Sequence, residues 1–403
     1  MKIGIFSDTH LGFQPENREK EAIEQAVAAL EMCIREKCDA ILLPGDLFDE
    51  HIPRQETWHE AFQLFSIGRR AEKSNARVLD SKGKEIGFNG IPLIAIHGTH
   101  EFRGRDYKNA LQVLESAGFI IYVHANYVVI EKGNEKIAVH GLGGVPEKQA
   151  KEVLKLYNPK PVNGMKNLLM LHQSFKEFLP FDDEMVATLS LADLPEGFYL
   201  FINVHIHFSN TVESDGRKML LAGSTVITQM KELESTKPKL VHFLDTETME
   251  IKSMPITVQR KFFFRKVEID NDSPKEAVEK VKNAVEGIKL PANEIPLIKV
   301  KVKGELSKGF SKNDLDFTEL KEKFAGKALL YIDVSVDGQS FMESIGELKT
   351  LHENRKSIAG MGLQLLEKNL AQTSFTGSFS AEELFSLLSE GEIDKAVDML
   401  AEN

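Results

Sequence analysis

Long apolar runs are missing from this chain of 403 residues. A membrane-spanning helix needs roughly 20 consecutive apolar residues, and because no run approaches that length we expect no membrane contact. Cysteine is scarce as well, with only Cys33 and Cys38. Secreted disulfide scaffolds use more cysteine, and the first residues read as a short strand rather than as a signal peptide. We therefore expect two ordinary buried thiols and a cytoplasmic protein.

Net positive charge is absent too, because 50 Lys and Arg face 61 Asp and Glu, which gives a net charge of -11. Binding to DNA phosphates needs a cationic surface, so the total charge alone argues against a nucleic-acid substrate. The acid is unevenly spread, however. Residues 1–260 carry 30 basic and 36 acidic side chains, residues 261–340 carry 15 and 14, and residues 341–403 carry 5 and 11. The middle segment is thus the one part that is not acidic.

Strands and helices alternate from the start of the chain. Apolar residues at helical spacing predict helices over 19–37, 57–71 and 109–117, and short apolar runs predict strands over 2–6, 39–44 and 90–97. Further short strands follow, with fewer helices between them. The alternation favours an α/β fold of layered sheets and helices. Since large α/β domains reach about 250 residues, we assign residues 1–260 to one domain.

Two smaller segments complete the chain. Residues 261–340 predict a compact α+β domain, with a strand over 261–269 and a helix over 275–288 that opens on a capping box from Ser273 to Glu276. Residues 341–403 predict a helix, a polar linker and a final helix pair. That pair is too small to bury its own apolar face, so it either folds back on its own protein or docks on a partner.

Metal-binding side chains follow the ends of five predicted strands. They are Asp8 and His10, Asp46, His100, His172, and His205 with His207. In α/β sheets the loops at the carboxyl ends of the strands gather around ligands. Mixed carboxylates and imidazoles suit Mn²⁺, Fe²⁺ or Zn²⁺. Each motif alone occurs often by chance, but five in this order predict a dinuclear metal site.

The motifs also resemble those of a known family. They read Asp8-Thr-His10, Gly45-Asp-Leu-Phe-Asp49, Gly98-Thr-His-Glu101, Leu171-His-Gln173 and His205-Ile-His207. They are similar to the motifs of the calcineurin-like metallophosphoesterases and, among these, to the Mre11/SbcD nucleases, with the archaeal members most similar. The resemblance covers essentially the whole chain. It implies a four-layer αββα phosphoesterase domain over 1–260, a DNA-binding cap domain over 261–340, and a linker with Rad50-binding helices over 341–403.

The resemblance also implies roles for the motif residues. The first metal would be held by Asp8, His10, Asp46 and His207, and the second by Asp46 as a bridge with His172 and His205. His100 would be the catalytic histidine, and two Mn²⁺ ions would bind each subunit.

Two positions depart from the family pattern. Thr99 stands where the family has an asparagine that ligates the second metal, and a threonine hydroxyl is a shorter and poorer ligand. Val204 stands where the family has glycine, and its branched side chain restricts the backbone. We expect Thr99 to be a weak ligand and the second metal site to be weakened, while the enzyme stays active.

Contacts to DNA are less well specified by the sequence. His51, Arg103 and Arg105 lie close to the motifs and are candidates to touch DNA, although a solvated loop is an equal alternative. Lys299, Lys301 and Lys303 alternate along a predicted strand and therefore share one face. That face either follows phosphates or is simply solvated.

The resemblance implies a Mn²⁺-dependent DNA nuclease that processes double-strand breaks in the Mre11–Rad50 complex. It would act as a 3′→5′ double-strand exonuclease and an endonuclease, through two-metal phosphodiester hydrolysis. The predicted partners are Rad50, bound by the C-terminal helices, double-stranded DNA ends, and a second copy of the chain, bound through helices 57–71 and 109–117. The alternatives are a catalytically weak scaffold that tethers DNA ends and Rad50, and a generic metallophosphatase.

Overall fold

The computed structural model describes residues 1–15, 17–104, 107–178, 188–214 and 216–338, together with Leu384, Leu387 and Val397. Arg105 and almost all of the predicted linker and partner-binding helices lie outside these residues. The chain divides into two units. The first comprises Met1–Phe264 and Pro291–Leu297, and the second comprises Arg265–Leu290 and the chain from Ile298 onward.

The first unit is a succession of short strands and helices. In chain order they are β1 (Lys2–Ile5), α1 (Glu21–Arg35), β2 (Ala40–Leu43), α2 (Gln55–Arg70), β3 (Arg77–Asp80), β4 (Glu85–Ile86), β5 (Leu93–Ala95), α3 (Ala110–Ser116), β6 (Ile121–Tyr122), β7 (Asn126–Lys132), β8 (Glu135–Leu142), α4 (Glu147–Tyr157), β9 (Lys166–His172), β10 (Leu200–Val204), β11 (Asn210–Ser214), β12 (Arg217–Leu221), α5 (Glu232–Thr236), β13 (Leu240–Asp245) and β14 (Ile251–Pro255). The helices predicted over 19–37, 57–71 and 109–117 are confirmed as α1, α2 and α3. Among the described residues, every helix is too short or too polar to cross a membrane.

The strands form two sheets. The first has six strands in the order β14-β13-β1-β2-β5-β6, and the second has eight in the order β11-β12-β10-β9-β8-β7-β3-β4. In the first sheet β1, β2, β5 and β6 run parallel, and in the second β8, β9, β10 and β12 run parallel. The carboxyl ends of each parallel set therefore lie along one edge of their sheet.

The two sheets pack between two layers of helices. Ile3 and Ile5 of β1 join the core between the sheets, whereas Ile41 and Leu43 of β2 join the core beneath α1, α2 and α3. This division follows from the strand period, in which successive side chains face opposite sides. On the outer face of the second sheet, Leu154 of α4 joins a third core with residues of β9 and β10. The order of helix, sheet, sheet and helix confirms the predicted four-layer αββα fold.

The second unit is built around a three-stranded sheet. Its elements are β15 (Phe262–Asp272), α6 (Pro274–Glu286), β16 (Leu297–Leu306), α7 (Thr318–Phe324) and β17 (Leu329–Gly338), where the first residues of β15 and β16 still belong to the first unit, and the strand order is β15-β16-β17. The capping box that opens α6 is formed as predicted, since Ser273 Oγ accepts from the Glu276 amide while Glu276 Oε2 accepts from the Ser273 amide. Ala277, Val281 and Val285 are buried at a spacing of four residues, which makes α6 an amphipathic helix.

Candidate metal centre

The predicted ligands come together where the parallel strands end. Asp8 and His10 follow β1, Asp46 follows β2, His172 ends β9, and His205 and His207 follow β10. The first sheet supplies three of these residues and the second sheet supplies the other three, so the site forms where the two sheets pack together. Val204 at the end of β10 pairs with His172 of β9. His205, the next residue, therefore lies one position beyond His172.

Two groups of predicted ligands are each close enough to hold one cation, and a third group, His10 with Asp49 and His100, shares His10 with the first. In the first, one ligand atom from each of Asp8, His10 and His207 lies within 4.8 Å of the others, and in the second the same holds for Asp46, His172 and His205. The groups are adjacent, because His172 Nδ1 lies 3.8 Å from Asp8 Oδ1 while its Nε2 lies 3.1 Å from Asp46 Oδ2. We call them the first and second subsites.

In two ligand imidazoles Nδ1 donates a hydrogen bond to an oxygen of the protein, which leaves Nε2 as the nitrogen that can bind a cation. His10 Nδ1 donates to Asp49 Oδ1 at 2.9 Å, and His172 Nδ1 donates to the Pro44 carbonyl at 3.2 Å. His10 Nε2 is buried and lacks a hydrogen-bond partner in the described part of the chain, and His172 Nε2 is buried and faces the Asp46 carboxylate at 3.1 Å without a hydrogen bond of good geometry. Buried polar atoms are almost always satisfied, and a metal-bound histidine usually gives its other nitrogen to an oxygen of the protein. The donor set therefore fits a cation in each subsite.

The third imidazole, His207, is held by neighbours that the sequence did not single out. Its Nδ1 lies 2.6 Å from Thr228 Oγ1, and its Nε2 lies 3.8 Å from Asp8 Oδ2. Its carbonyl accepts at 2.9 Å from Lys239 Nζ, a buried ammonium that also donates to Glu234 at 2.6 Å. No local pattern marks Thr228, Glu234 or Lys239 in the sequence, because they reach the site only through the tertiary fold.

Several ligands have an uncommon backbone conformation. The φ angles are 47° at Asp8, 45° at His10, 45° at Asp46 and 89° at His205. Non-glycine residues seldom have positive φ, although Asp and His tolerate it better than most, and such residues cluster at functional sites.

Val204, which we expected to need space, lies fully buried in the core between the sheets.

Two glycines of the motifs let the loops approach each other. A Cβ atom on Gly45 would lie 2.4 Å from His172 Nδ1, and one on Gly98 would lie 2.0 Å from Asp46 Oδ1. Gly45 also has a φ of 116°, which L side chains rarely adopt. Both positions are therefore restricted to glycine by the geometry of the ligands.

The buried charges of the site perturb one another. Burial opposes the charged form of His172, but Asp46 and Asp8 outweigh it and raise the pKa of His172 to about 9. Burial raises the pKa of Asp8, whereas His172 and His10 hold the pKa of Asp46 well below its usual range against the same effect. Burial and neighbouring cations hold the pKa of His207 well below its usual value. Asp46 is thus the carboxylate that stays charged between the histidines.

His100 lies at the exposed side of this cluster. Its Nδ1 lies 2.5 Å from the backbone carbonyl oxygen of Asp49, and since a carbonyl can only accept, Nδ1 is the donor. Its Nε2 lies 3.9 Å from Asp46 Oδ2. The side chain is 42% exposed, so a substrate can reach it. Asp49 therefore contacts two histidines, His10 through its carboxylate and His100 through its carbonyl, although the sequence analysis gave it no separate role.

Glu101, beside the catalytic candidate, holds two of the motif loops together. Its side chain is fully buried, Oε1 accepts from the Phe48 amide at 2.8 Å, and Oε2 accepts from the Gly98 amide at 2.7 Å. Burial raises the pKa of its carboxyl to about 8. Its place next to His100 in the motif was the signal that could have identified it.

Thr99 and the predicted DNA contacts lie at the edge of the ligand cluster or outside it. Thr99 Oγ1 lies 3.4 Å from His205 Nδ1, at the second subsite. The Arg103 guanidinium donates to the Lys108 carbonyl and lies 4.9 Å above the Tyr107 ring. His51 is exposed.

Comparisons with known proteins agree on the family of the first unit. The family model described as Calcineurin-like phosphoesterase matches residues 1–215. The chain is 27% identical over 318 residues to the double-strand break repair protein MRE11 of Mus musculus, covering 67% of this chain and 43% of that protein. It is 31% identical over 238 residues to the DNA double-strand break repair protein Mre11 of Sulfurisphaera tokodaii, covering 57% of this chain and 54% of that protein.

The chain spans about half the length of these curated relatives. Among solved structures, an archaeal phosphodiesterase shares 14% identity with it at a TM-score of 0.30, covering 63% of this chain and 99% of that one.

Proposed function

Because this chain belongs to the calcineurin-like phosphoesterase family, we propose that it is a metal-dependent phosphodiesterase that cleaves DNA at double-strand breaks, as a 3′→5′ exonuclease and an endonuclease. The observation that carries the proposal is the pair of adjacent subsites, in which His10 Nε2 is buried without a hydrogen-bond partner in the described residues and His172 Nε2 is buried against the Asp46 carboxylate. Two neighbouring cations would give both nitrogens a partner, and paired cations are typical of enzymes that hydrolyse phosphate esters.

Each subsite would hold one cation, with Asp46 shared between them. The first subsite offers Asp8, His10 and His207, and the second offers His172 and His205. When bound, the cations would neutralise phosphate oxygens and lower the pKa of water toward about 7. We propose Mn²⁺ because mixed imidazole and carboxylate ligands suit it and because the resemblance of the motifs implies it.

His100 would serve the departing 3′ oxygen. The Asp49 carbonyl fixes its Nδ1 as the protonated nitrogen, so the neutral ring presents an unprotonated Nε2 and the imidazolium presents a proton there. The imidazolium form can donate that proton to the leaving oxygen. General acid catalysis of this kind contributes about 10²–10⁴-fold to a rate. The exposure of the ring agrees with direct contact to substrate.

Two observations support DNA as the substrate. The relatives found by sequence are named as double-strand break repair proteins. In addition, Val300 and Val302 of β16 are buried while Lys301 is half-buried and Lys303 is exposed, so the lysine row lies on the outer face of the strand as its alternation predicts. Lys299 on the same row lies 3.8 Å from Asp333, which leaves Lys301 and Lys303 as the better phosphate contacts. His51, Arg103 and Arg105 are proposed as further contacts.

We further propose that the tail over 341–403 binds Rad50 and that the chain forms a homodimer. Phe62 of α2 and Val113 of α3 are 37% and 42% exposed, and they lie on the two helices that the resemblance assigns to the dimer contact. The free, buried thiols of Cys33 and Cys38 agree with a reducing compartment. Sedimentation of the full chain tests the dimer, and a Phe62→Glu variant should sediment as a monomer.

The function is tested with end-labelled duplex DNA and Mn²⁺, beside a generic phosphatase substrate, with and without Rad50. We expect wild-type protein to shorten the labelled DNA, and Asp46→Ala to lose that activity while keeping its fold. Asp80→Asn, at the end of β3 and outside the candidate metal centre, is the control and should cleave as wild type does. Undiminished digestion by the Asp46→Ala variant would contradict the proposal, and hydrolysis of the phosphatase substrate alone would favour a generic metallophosphatase.

A scaffold that tethers DNA ends and Rad50 is the second candidate, and Thr99 is the observation that favours it. Its hydroxyl reaches the second subsite only at 3.4 Å from His205 Nδ1, and a neutral hydroxyl is a weaker ligand than an amide oxygen. We expect calorimetric titration to show one tight and one weaker Mn²⁺ site, and Thr99→Asn to tighten the weaker one. Two equally tight sites in the wild type would contradict this view.

A further inference from the structure

His205 is the ligand imidazole with the least support from its own loop. Its side chain is 29% exposed, whereas the His10, His172 and His207 side chains are almost fully buried. It also has a φ of 89° and directly follows the branched Val204. A ring on such a backbone needs an external contact to keep one nitrogen directed at a cation.

That contact comes from Glu147, the first residue of α4. Glu147 Oε1 lies 3.6 Å from His205 Nε2, whereas the other ring nitrogen, Nδ1, lies 3.4 Å from Thr99 Oγ1. Glu147 Oε1 also accepts a hydrogen bond from Ser174 Oγ, and Ser174 follows the other second-subsite imidazole, His172, by two residues. The carboxylate is therefore fixed from one side by the β9 loop and faces the His205 ring on the other.

We propose that Glu147 is the positioning residue of the second subsite. Its carboxylate accepts a hydrogen bond from the Nε2–H group of His205, so that the Nδ1 lone pair is directed at the cation. The inference rests on the proposed two-cation site. The contact of 3.6 Å must shorten by about 0.4 Å to become a hydrogen bond. Nδ1 already faces the side on which Thr99 Oγ1 lies, at 3.4 Å.

Two other ligand imidazoles are also held by an oxygen of the protein at one ring nitrogen, although there the held nitrogen is Nδ1 and not Nε2. His10 Nδ1 contacts the Asp49 carboxylate, and His172 Nδ1 contacts the Pro44 carbonyl. An outer carboxylate fixes the tautomer and makes the ligating nitrogen more basic. The second subsite needs that support most, because it has the short Thr99 hydroxyl and a partly exposed imidazole.

A purely structural role for Glu147 predicts something different. An acidic side chain in the first turn of a helix interacts favourably with the helix dipole, and loss of that interaction would lower stability without selecting one cation. A measurement that resolves the two subsites therefore separates the roles. Glu152, which is exposed on the next turn of α4, offers a control with the same loss of charge.

The experiment titrates the full-length chain with Mn²⁺ and follows binding by calorimetry and by electron paramagnetic resonance. In the wild type we expect two bound ions and the spin coupling of a Mn²⁺ pair about 3.5–4 Å apart. In Glu147→Ala we expect the affinity of the second ion to fall about 10–100-fold, the first ion to bind normally, and the coupled signal to give way to that of isolated Mn²⁺. Glu147→Gln, which keeps an oxygen acceptor, should show a smaller loss, and Glu152→Gln should match the wild type.

The inference is overturned if Glu147→Ala binds both ions as the wild type does, or if it weakens both ions equally. It is also overturned if wild-type protein binds a single ion. Wild-type protein that binds a coupled Mn²⁺ pair but leaves DNA intact would contradict the proposed function and would leave the assignment of Glu147 supported by the titration.

Discussion

The substitution Gly98→Ala tests how closely the site is packed around Asp46. A Cβ atom at this position would lie 2.0 Å from Asp46 Oδ1 and 2.4 Å from the Asp46 backbone nitrogen, whereas ordinary contacts are 3.4–4 Å. To move from 2.0 to 3.4 Å the carboxylate must shift by about 1.4 Å, while metal–ligand distances tolerate only about 0.2 Å. The nearby backbone nitrogen prevents a side-chain rotation alone from relieving the contact.

We therefore expect two losses from Gly98→Ala. Overpacking of this kind typically lowers the free energy of unfolding by about 1–3 kcal/mol, and a ligand displaced by more than 1 Å should lower DNA cleavage about 100-fold or more. Unfolding is followed by the fluorescence of Trp58, the single tryptophan, whose ring lies 5.0 Å from the Phe48 ring near the site.

Gly87→Ala is the matched control for that substitution. A Cβ atom on Gly87 meets no atom within 4 Å, and its φ lies in the ordinary range. Its stability and Mn²⁺ affinity should equal those of the wild type. If Gly98→Ala binds two Mn²⁺ ions with wild-type affinity and unfolds at the same denaturant concentration as Gly87→Ala, the argument that glycine is required beside Asp46 is refuted.

Three further predictions concern charge and cations. Since the pKa of His172 is raised to about 9, a cation must displace a proton below that pH, so the affinity for Mn²⁺ measured by calorimetry should rise between pH 7 and pH 9; a flat profile would contradict this. Lys239→Met should lower the free energy of unfolding by about 3–5 kcal/mol because it leaves the buried Glu234 carboxylate unpaired, whereas Lys237→Met should change it by less than about 0.5 kcal/mol, both measured by urea unfolding. Removal of bound Mn²⁺ by a chelator should lower the melting temperature, because an ion at 100 times its Kd contributes about 2.7 kcal/mol, and an unchanged melting temperature would argue against binding to the folded state.

The first sheet and its helices could be predicted from the sequence because their patterns are local. Helices α1 to α3 carry apolar residues at helical spacing, and β1, β2 and β5 are short apolar runs between them. The hairpin of β3 and β4, strand β11 and helix α4 were not predicted. β11 has no buried side chain, and its residues alternate between half-buried and exposed, so its sequence carries no apolar period that could identify it.

The site divides in a similar way. That the candidate ligands lie close together could be predicted because each motif lies directly after a strand, and parallel strands bring their ends together. The residues that hold those ligands were missed, because Glu147, Thr228 and Lys239 are remote in sequence and act through contacts of 3.6, 2.6 and 2.9 Å. A pattern of residue types specifies which groups can bind a cation, but the orientation of each imidazole depends on the packing around it.

The acidic balance of the chain is compatible with a DNA substrate once the site itself is considered. Asp8 and Asp46 are fully or almost fully buried at the strand ends, so their charges belong to the metal subsites and not to the surface that meets DNA. If two divalent cations bind as proposed, they would add four positive charges to these two carboxylates, and the strand edge would then carry a net positive charge facing the phosphate. In the proposed function the attraction to DNA at the reacting bond would therefore come from the cations, and the protein surface would need only a few basic contacts, such as Lys301 and Lys303, to position the duplex.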